Sequence, residues 1–306
     1  MDAGLEQCYV EIGSHRSGTN FLANVLSAHP SLAFWRRPKY TIRHGNAWKS
    51  TDYLFARDAT PRVKAYIRRR LAEYALARDK DRLLIVMQAL GLGLEFIYEV
   101  LPDCKVIHII RDPRDVVKSN LKYWHHPIGL GGSMTRTVGQ RIREIPVTDL
   151  PAYATEFLGE LWCRVRGRRR YAWGAKIKNW KKLSRSMDML EYCAHTWREY
   201  MTEARRVGLA MPEDQYHEVK FEDLVRRPEE TVAGLLRYMD LPESDAVNRW
   251  LAENVDRTKP GNYQRKMPQE ELDRILPYVG DLLEELTYSN GGGDDENADS
   301  GDDADG

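Results

Sequence analysis

Residues 8–28 read CYVEIGSHRSGTNFLANVLSA. Cys8–Ile12 is a short apolar run that stops at Gly13, the pattern of a buried strand. From Thr19 to Ala28 the apolar residues Phe21, Leu22, Val25 and Leu26 fall at helical spacing. Between the two lies GSHRSGTN, with glycine at its first and sixth positions. Such a turn lets the backbone curl around an anion, while the amides and dipole of the following helix point at it. The spacing is that of a Walker A loop with two departures. Thr19 stands where the lysine would reach the β/γ-phosphates, and Asn20 where Ser or Thr would hold Mg²⁺. Without those groups, nucleotide hydrolysis lacks its main charge stabilisers. The loop suits a phosphate held without metal, and it has an internal cation, Arg16.

Working outward, Leu83–Met87, Lys105–Ile110 and Tyr216–Phe221 read as further strands. Helical patterns cover Leu94–Val100, Asp115–Tyr123, Leu190–Val207 and a stretch from Pro228 to about Met239. This alternation predicts an α/β, P-loop-like three-layer fold with a central, mostly parallel sheet flanked by helices. Residues 1–290 are expected to form one domain. Within it, 124–188 is less periodic and rich in Arg and Gly, and reads as an insertion on the acceptor side of the sheet edge.

A second constellation is KVIHIIRDPRDVVKS, residues 105–119. Arg111 falls at the carboxyl end of a strand, where open α/β sheets bind ligands. Ser119 follows about two helical turns later, so a guanidinium and a hydroxyl can converge on one phosphate. The competing reading is a structural ion pair between Arg111 and Asp115.

Here the sequence resembles a family. GSHRSGTNFLANVLSAHP is similar to the 5′-phosphosulfate loop of sulfotransferases that use 3′-phosphoadenosine 5′-phosphosulfate (PAPS). VIHIIRDPRDVVKS resembles their 3′-phosphate motif, in which Arg and Ser stand eight apart. YHEVKFEDLVRRPEETV, with the acidic pair Glu222-Asp223, resembles their late strand–helix unit. The likeness covers roughly residues 8–288. It implies a single α/β domain, PAPS as co-substrate and no metal. It assigns Arg16, Ser17, Gly18, Thr19 and Asn20 to the 5′-phosphosulfate, and Arg111 and Ser119 to the 3′-phosphate. Phe21 stands where relatives stack an aromatic on adenine, and a core role in the first helix is the alternative. Lys259, Gly261 and Arg265 resemble the basic loop that closes over the 3′-phosphate, with a solvated basic loop as the alternative.

Sulfuryl transfer passes in line between two oxygens, so positioning and charge stabilisation carry it. Arg16 is expected to stabilise the transferring group. The base is less legible. Some relatives carry a glutamate about twenty residues after the loop cation, where this chain has Trp35-Arg36-Arg37-Pro38. Many carry a lysine at the second strand, where it has Val86-Met87-Gln88-Ala89. His44 is the best remaining candidate for the base, since imidazole suits neutral pH, and a surface or core histidine is the alternative; His15 is expected to point away. Arg36, Arg37, Lys39 and Arg43 add four cations near the expected acceptor side, either to hold an acidic or sugar-phosphate acceptor or only to shield the donor.

Charge and composition agree with an anionic ligand. The tail Gly291–Gly306 holds seven carboxylates and no Lys or Arg, and is expected to be disordered. Outside it, 46 Lys and Arg face 39 Asp and Glu. The run RVRGRRRY, residues 164–171, hints at nucleic acid, but two anion loops explain the basic surplus better, so no nucleic-acid partner is expected. Cys8, Cys104, Cys163 and Cys193 show no metal spacing. No apolar run approaches membrane-spanning length, and the N-terminus lacks a signal pattern. The expectation is a cytoplasmic enzyme with a small-molecule or carbohydrate acceptor bearing a hydroxyl or amine. A P-loop kinase and a non-catalytic nucleotide-binding protein are the alternatives.

Overall fold

The computed structural model describes residues 4–124, 144–165, 174–255 and 267–288. Five strands, β1 (Gln7–Ile12), β2 (Leu32–Arg36), β3 (Arg82–Val86), β4 (Lys105–Ile110) and β5 (Tyr216–Lys220), form one sheet in the order β2-β3-β1-β4-β5. All four pairings are parallel. Twelve described helices surround it: α1 (Thr19–Ser27), α2 (Lys39–Ile42), α3 (Pro61–Leu76), α4 (Leu94–Val100), α5 (Pro113–Trp124), α6 (Leu150–Val165), α7 (Trp180–Ser186), α8 (Met189–Gly208), α9 (Phe221–Arg226), α10 (Pro228–Tyr238), α11 (Asp245–Asn254) and α12 (Gln269–Glu285). The three-layer α/β expectation is met.

Strand alternation divides the core in two. Cys8, Val10 and Ile12 face a core built with α3, α4, α5, α8 and α12. Tyr9, Leu84, Ile107 and Ile109 face the other, built with α1, α10 and α11. Several elements escaped the periodicity reading, among them β2, α3, α11 and α12. β2 is only LAFWR. α3 carries its own start signal, Thr60 capping Val63 N–H with Pro61 at the first turn. α12 follows Pro268 with acids in its first turn. Elsewhere boundaries moved by a residue or two. Phe221 opens α9 rather than ending β5, and part of the aperiodic stretch 124–188 is helical, as α6 and α7. Residues 289–306, with the acidic tail, lie outside the described residues, as do 166–171 of the arginine run. No described helix is long and apolar enough to cross a membrane.

The sheet buries a carboxyl that makes no hydrogen bond. Glu11, two residues before the glycine turn, is 0% exposed, and neither carboxylate oxygen has a hydrogen-bond partner. Burial drives its pKa well above the ordinary 4.5, against the pull of Arg36. The folded state therefore keeps a proton that the unfolded chain releases, and stability falls as pH rises above about 4.5. Glu11→Met is expected to raise the melting temperature, more at pH 8 than at pH 5. An equal or lower melting temperature at pH 8 would show that the carboxyl is compensated in the fold.

Candidate active site

The glycines of the loop are explained by close approach. A Cβ on Gly13 would stand 2.8 Å from the Ile109 carbonyl oxygen and 2.6 Å from its side chain. Gly13 N–H donates to the Tyr200 hydroxyl at 2.9 Å. Gly18 sits at φ 99°, and a Cβ there would meet the Phe221 ring at 2.3 Å. Arg16 also adopts a left-handed backbone, φ 71°, a conformation a non-glycine residue pays for and that clusters at functional turns. Ser17 closes the turn from within, its hydroxyl and amide both donating to the Ser14 carbonyl.

The RDPRD turn is built to hold Arg111 at the neighbouring strand end. Asp112 accepts from Arg114 N–H at 2.8 Å and from its guanidinium at 2.7 Å, which caps α5. Glu222, of the acidic pair noted in sequence, accepts from Asp112 N–H at 3.1 Å and from the Tyr288 hydroxyl at 3.0 Å. Arg111 does both things its sequence allowed. Nη2 pairs with Asp115 at 3.0 Å, while Nη1 donates to the Arg16 carbonyl at 3.2 Å. Its guanidinium lies over the Phe221 ring, 4.5 Å from the centroid.

The two motifs therefore meet. Arg16 Nε donates to Ser119 Oγ at 2.9 Å, across 103 residues of sequence. Thr19 is buried and accepts from Gln88 Nε2 at 2.9 Å. Gln88 lies just past the end of β3, and its role was not visible in sequence. Asn20 is exposed and accepts from Arg36 at 3.4 Å, and Arg36 also donates to Asn24. Arg36 is thus turned toward the donor helix and not toward an acceptor. Phe21 packs edge-on against Trp250 and Phe221, with centroids 5.4 and 6.5 Å apart. Trp250, distant in sequence, was likewise unforeseen.

Other predicted cations are engaged elsewhere. Arg43 is 5% exposed, pairs with Asp52 at 3.0 Å and donates to the Lys49 carbonyl at 2.9 Å, a structural role. Lys39 pairs with Glu156 at 3.3 Å. Burial opposes ionisation of Glu156, but Lys39 and Lys176 together hold its carboxyl down to about 2.

His44 is buried, its Nδ1 2.8 Å from Asp149 and its ring 3.8 Å from that of Tyr66. Among the described residues, no hydrogen bond or ring contact joins it to residues 13–21. His15 lies closer to the chemistry. Desolvation first, then Arg37 and Arg16, push its imidazole down to about 4, so it is neutral at physiological pH. Lys259, Gly261 and Arg265 lie outside the described residues. No cluster of potential metal ligands occurs among the described residues.

Gly18→Ala is expected to destabilise the fold by at least ~1–3 kcal/mol, from backbone strain before the ring contact is counted. Thermal melts with and without nucleotide measure it. An unchanged melting temperature would show that Phe221 and the loop yield freely.

Among solved structures, the chain is similar to sulfotransferase STF9 from Mycobacterium avium, at 14% identity and a TM-score of 0.55, with 93% of this chain and 78% of that one covered. The sulfotransferase domain from the curacin biosynthetic pathway aligns at 13% identity and a TM-score of 0.50, covering 93% and 98%. No curated protein sequence gives a significant match. A family model of the sulfotransferase domain matches residues 11–274, a span that contains the glycine loop, the RDPRD turn and strands β2 to β5. The chain belongs to the sulfotransferase domain family.

Proposed function

We propose that this sulfotransferase takes its sulfuryl group from PAPS and transfers it to a hydroxyl or amine acceptor. The observation that carries this reading is the convergence of Arg16, Arg111 and Ser119 at the adjacent carboxyl ends of β1 and β4. One anion at the α1 N-terminus and a second at Arg111 and Ser119 match a nucleotide with a 5′-phosphosulfate and a 3′-phosphate. In that arrangement the α1 amides and Arg16 hold the phosphosulfate. The Arg16 guanidinium stabilises charge as the bond from sulfur to the bridging oxygen breaks. Thr19, fixed by Gln88, hydrogen-bonds the same group. Thr19 and Asn20 are the residues that displace a metal-binding loop, so donor binding is proposed to need no Mg²⁺.

Two imidazoles compete for the acceptor's proton. His44 has the orientation, since Asp149 fixes Nδ1. His15 has the position, beside Arg16 in the loop, and the neutral form. His44→Asn and His15→Asn separate them: the base variant loses ~10²–10⁴ in kcat while affinity for 3′-phosphoadenosine 5′-phosphate (PAP) holds.

Arg111→Ala and Ser119→Ala are expected to weaken PAP by ~1.5–3 kcal/mol each, with little effect on 5′-AMP, which lacks the 3′-phosphate. Calorimetric titration of both nucleotides in EDTA tests this. Equal losses for the two nucleotides would place these residues elsewhere. A requirement for Mg²⁺, with ATP displacing PAP, would favour a kinase.

A further inference from the structure

Gly13 and Gly91 close on one side chain. The Gly13 N–H donates to the Tyr200 hydroxyl at 2.9 Å, across 187 residues of sequence. A Cβ on Gly91 would stand 2.2 Å from that same oxygen and 2.1 Å from the Tyr200 Cζ, so only glycine leaves the phenol its place. Tyr200 projects from α8 and is 1% exposed. Burial holds its phenol well above the ordinary range, so the hydroxyl stays neutral at any working pH.

The two glycines belong to the two segments that, on the PAPS reading, hold the donor's 5′ end. Gly13 begins the glycine loop. Gly91 lies in the short helical turn Gln88–Gly93 after β3, and Gln88 at its start donates to Thr19 at 2.9 Å. Loop and turn are thus tied twice, by Gln88 on Thr19 and by the phenol wedged between Gly13 and Gly91. Gly13 is buried, and its N–H needs an acceptor that Tyr200 supplies. Turned toward α8, that amide is withdrawn from the anion, which is left to the amides further along at the α1 N-terminus. Among the described residues, no hydrogen bond joins Tyr200 to Arg111 or Ser119.

We propose that Tyr200 is a positioning residue for the donor: its hydroxyl fixes the start of the glycine loop against the Gln88 turn, so that Thr19 and the α1 amides face the 5′ end of the nucleotide. The proposal rests on the PAPS reading above. It predicts an effect confined to the 5′ end, unlike the loss at the 3′-phosphate expected for Arg111 and Ser119.

The test is calorimetric titration of three nucleotides, PAP, 5′-AMP and 3′-AMP, into wild type, Tyr200→Phe and Gly91→Ala. Tyr200→Phe keeps the ring and removes the hydroxyl. Gly91→Ala pushes the hydroxyl aside with a Cβ. Each variant is expected to bind PAP and 5′-AMP about tenfold more weakly, while affinity for 3′-AMP, which lacks the 5′-phosphate, stays within about twofold. Amide exchange in wild type reads the same point if both variants lose their melting transition: Gly13 should be as protected as β1 with no nucleotide present. Equal losses for all three nucleotides would show a general structural role and overturn the proposal, as would unchanged PAP and 5′-AMP binding or rapid exchange at Gly13. Those outcomes leave the donor reading standing. Failure of wild type to bind PAP sinks the donor reading and the positioning role with it.

Discussion

The site depends on how closely β1 approaches β4 where both strands end. Parallel pairing sets Ile12 opposite His108 and carries Ile109 past the turn. Only a residue without a side chain fits at Gly13 against the Ile109 carbonyl. That contact places the loop and the RDPRD turn side by side, and Arg111 reaches the Arg16 carbonyl as a result. A phosphate loop half a strand spacing further away would leave two unconnected anion sites. The fold instead joins them through Arg16 and Ser119.

Around this junction the protein concentrates positive charge and spends few carboxylates on it. Arg16, Arg36, Arg37 and Arg111 come from the carboxyl ends of β1, β2 and β4, with β3 between β2 and β1. Asp115 pairs with Arg111, and Asp112 is committed to capping α5. Neutral groups do the remaining positioning: Gln88 on Thr19, Tyr200 on Gly13, Asn20 and Asn24 on Arg36. Neutral donors and acceptors fix geometry without cancelling the field an anionic donor needs.

The sequence announced what lies close together along the chain. GSHRSGTN between an apolar run and a helical pattern located the loop, and the eight-residue step from Arg111 to Ser119 located its partner. Contacts between distant segments left no local trace. Nothing in Val86-Met87-Gln88 says that the amide would reach Thr19, and nothing near Trp250 says that it would pack on Phe21. The basic stretch 36–43 misled for the same reason. Composition showed four cations, but only their partners show that Arg43 is a structural tie within its own loop and that Arg36 faces the donor helix. That the charge of Arg37 reaches His15 was likewise not legible in the sequence.

The central claim is that the glycine loop and the Arg111–Ser119 motif form one binding site for a doubly charged adenosine nucleotide. A crystal structure of the PAP complex tests it most directly. The account predicts the 5′-phosphate on the α1 amides beside Arg16, and the 3′-phosphate within hydrogen-bonding distance of Arg111 and Ser119. A 3′-phosphate left in solvent, or a nucleotide bound away from Gly13–Asn20, would contradict it.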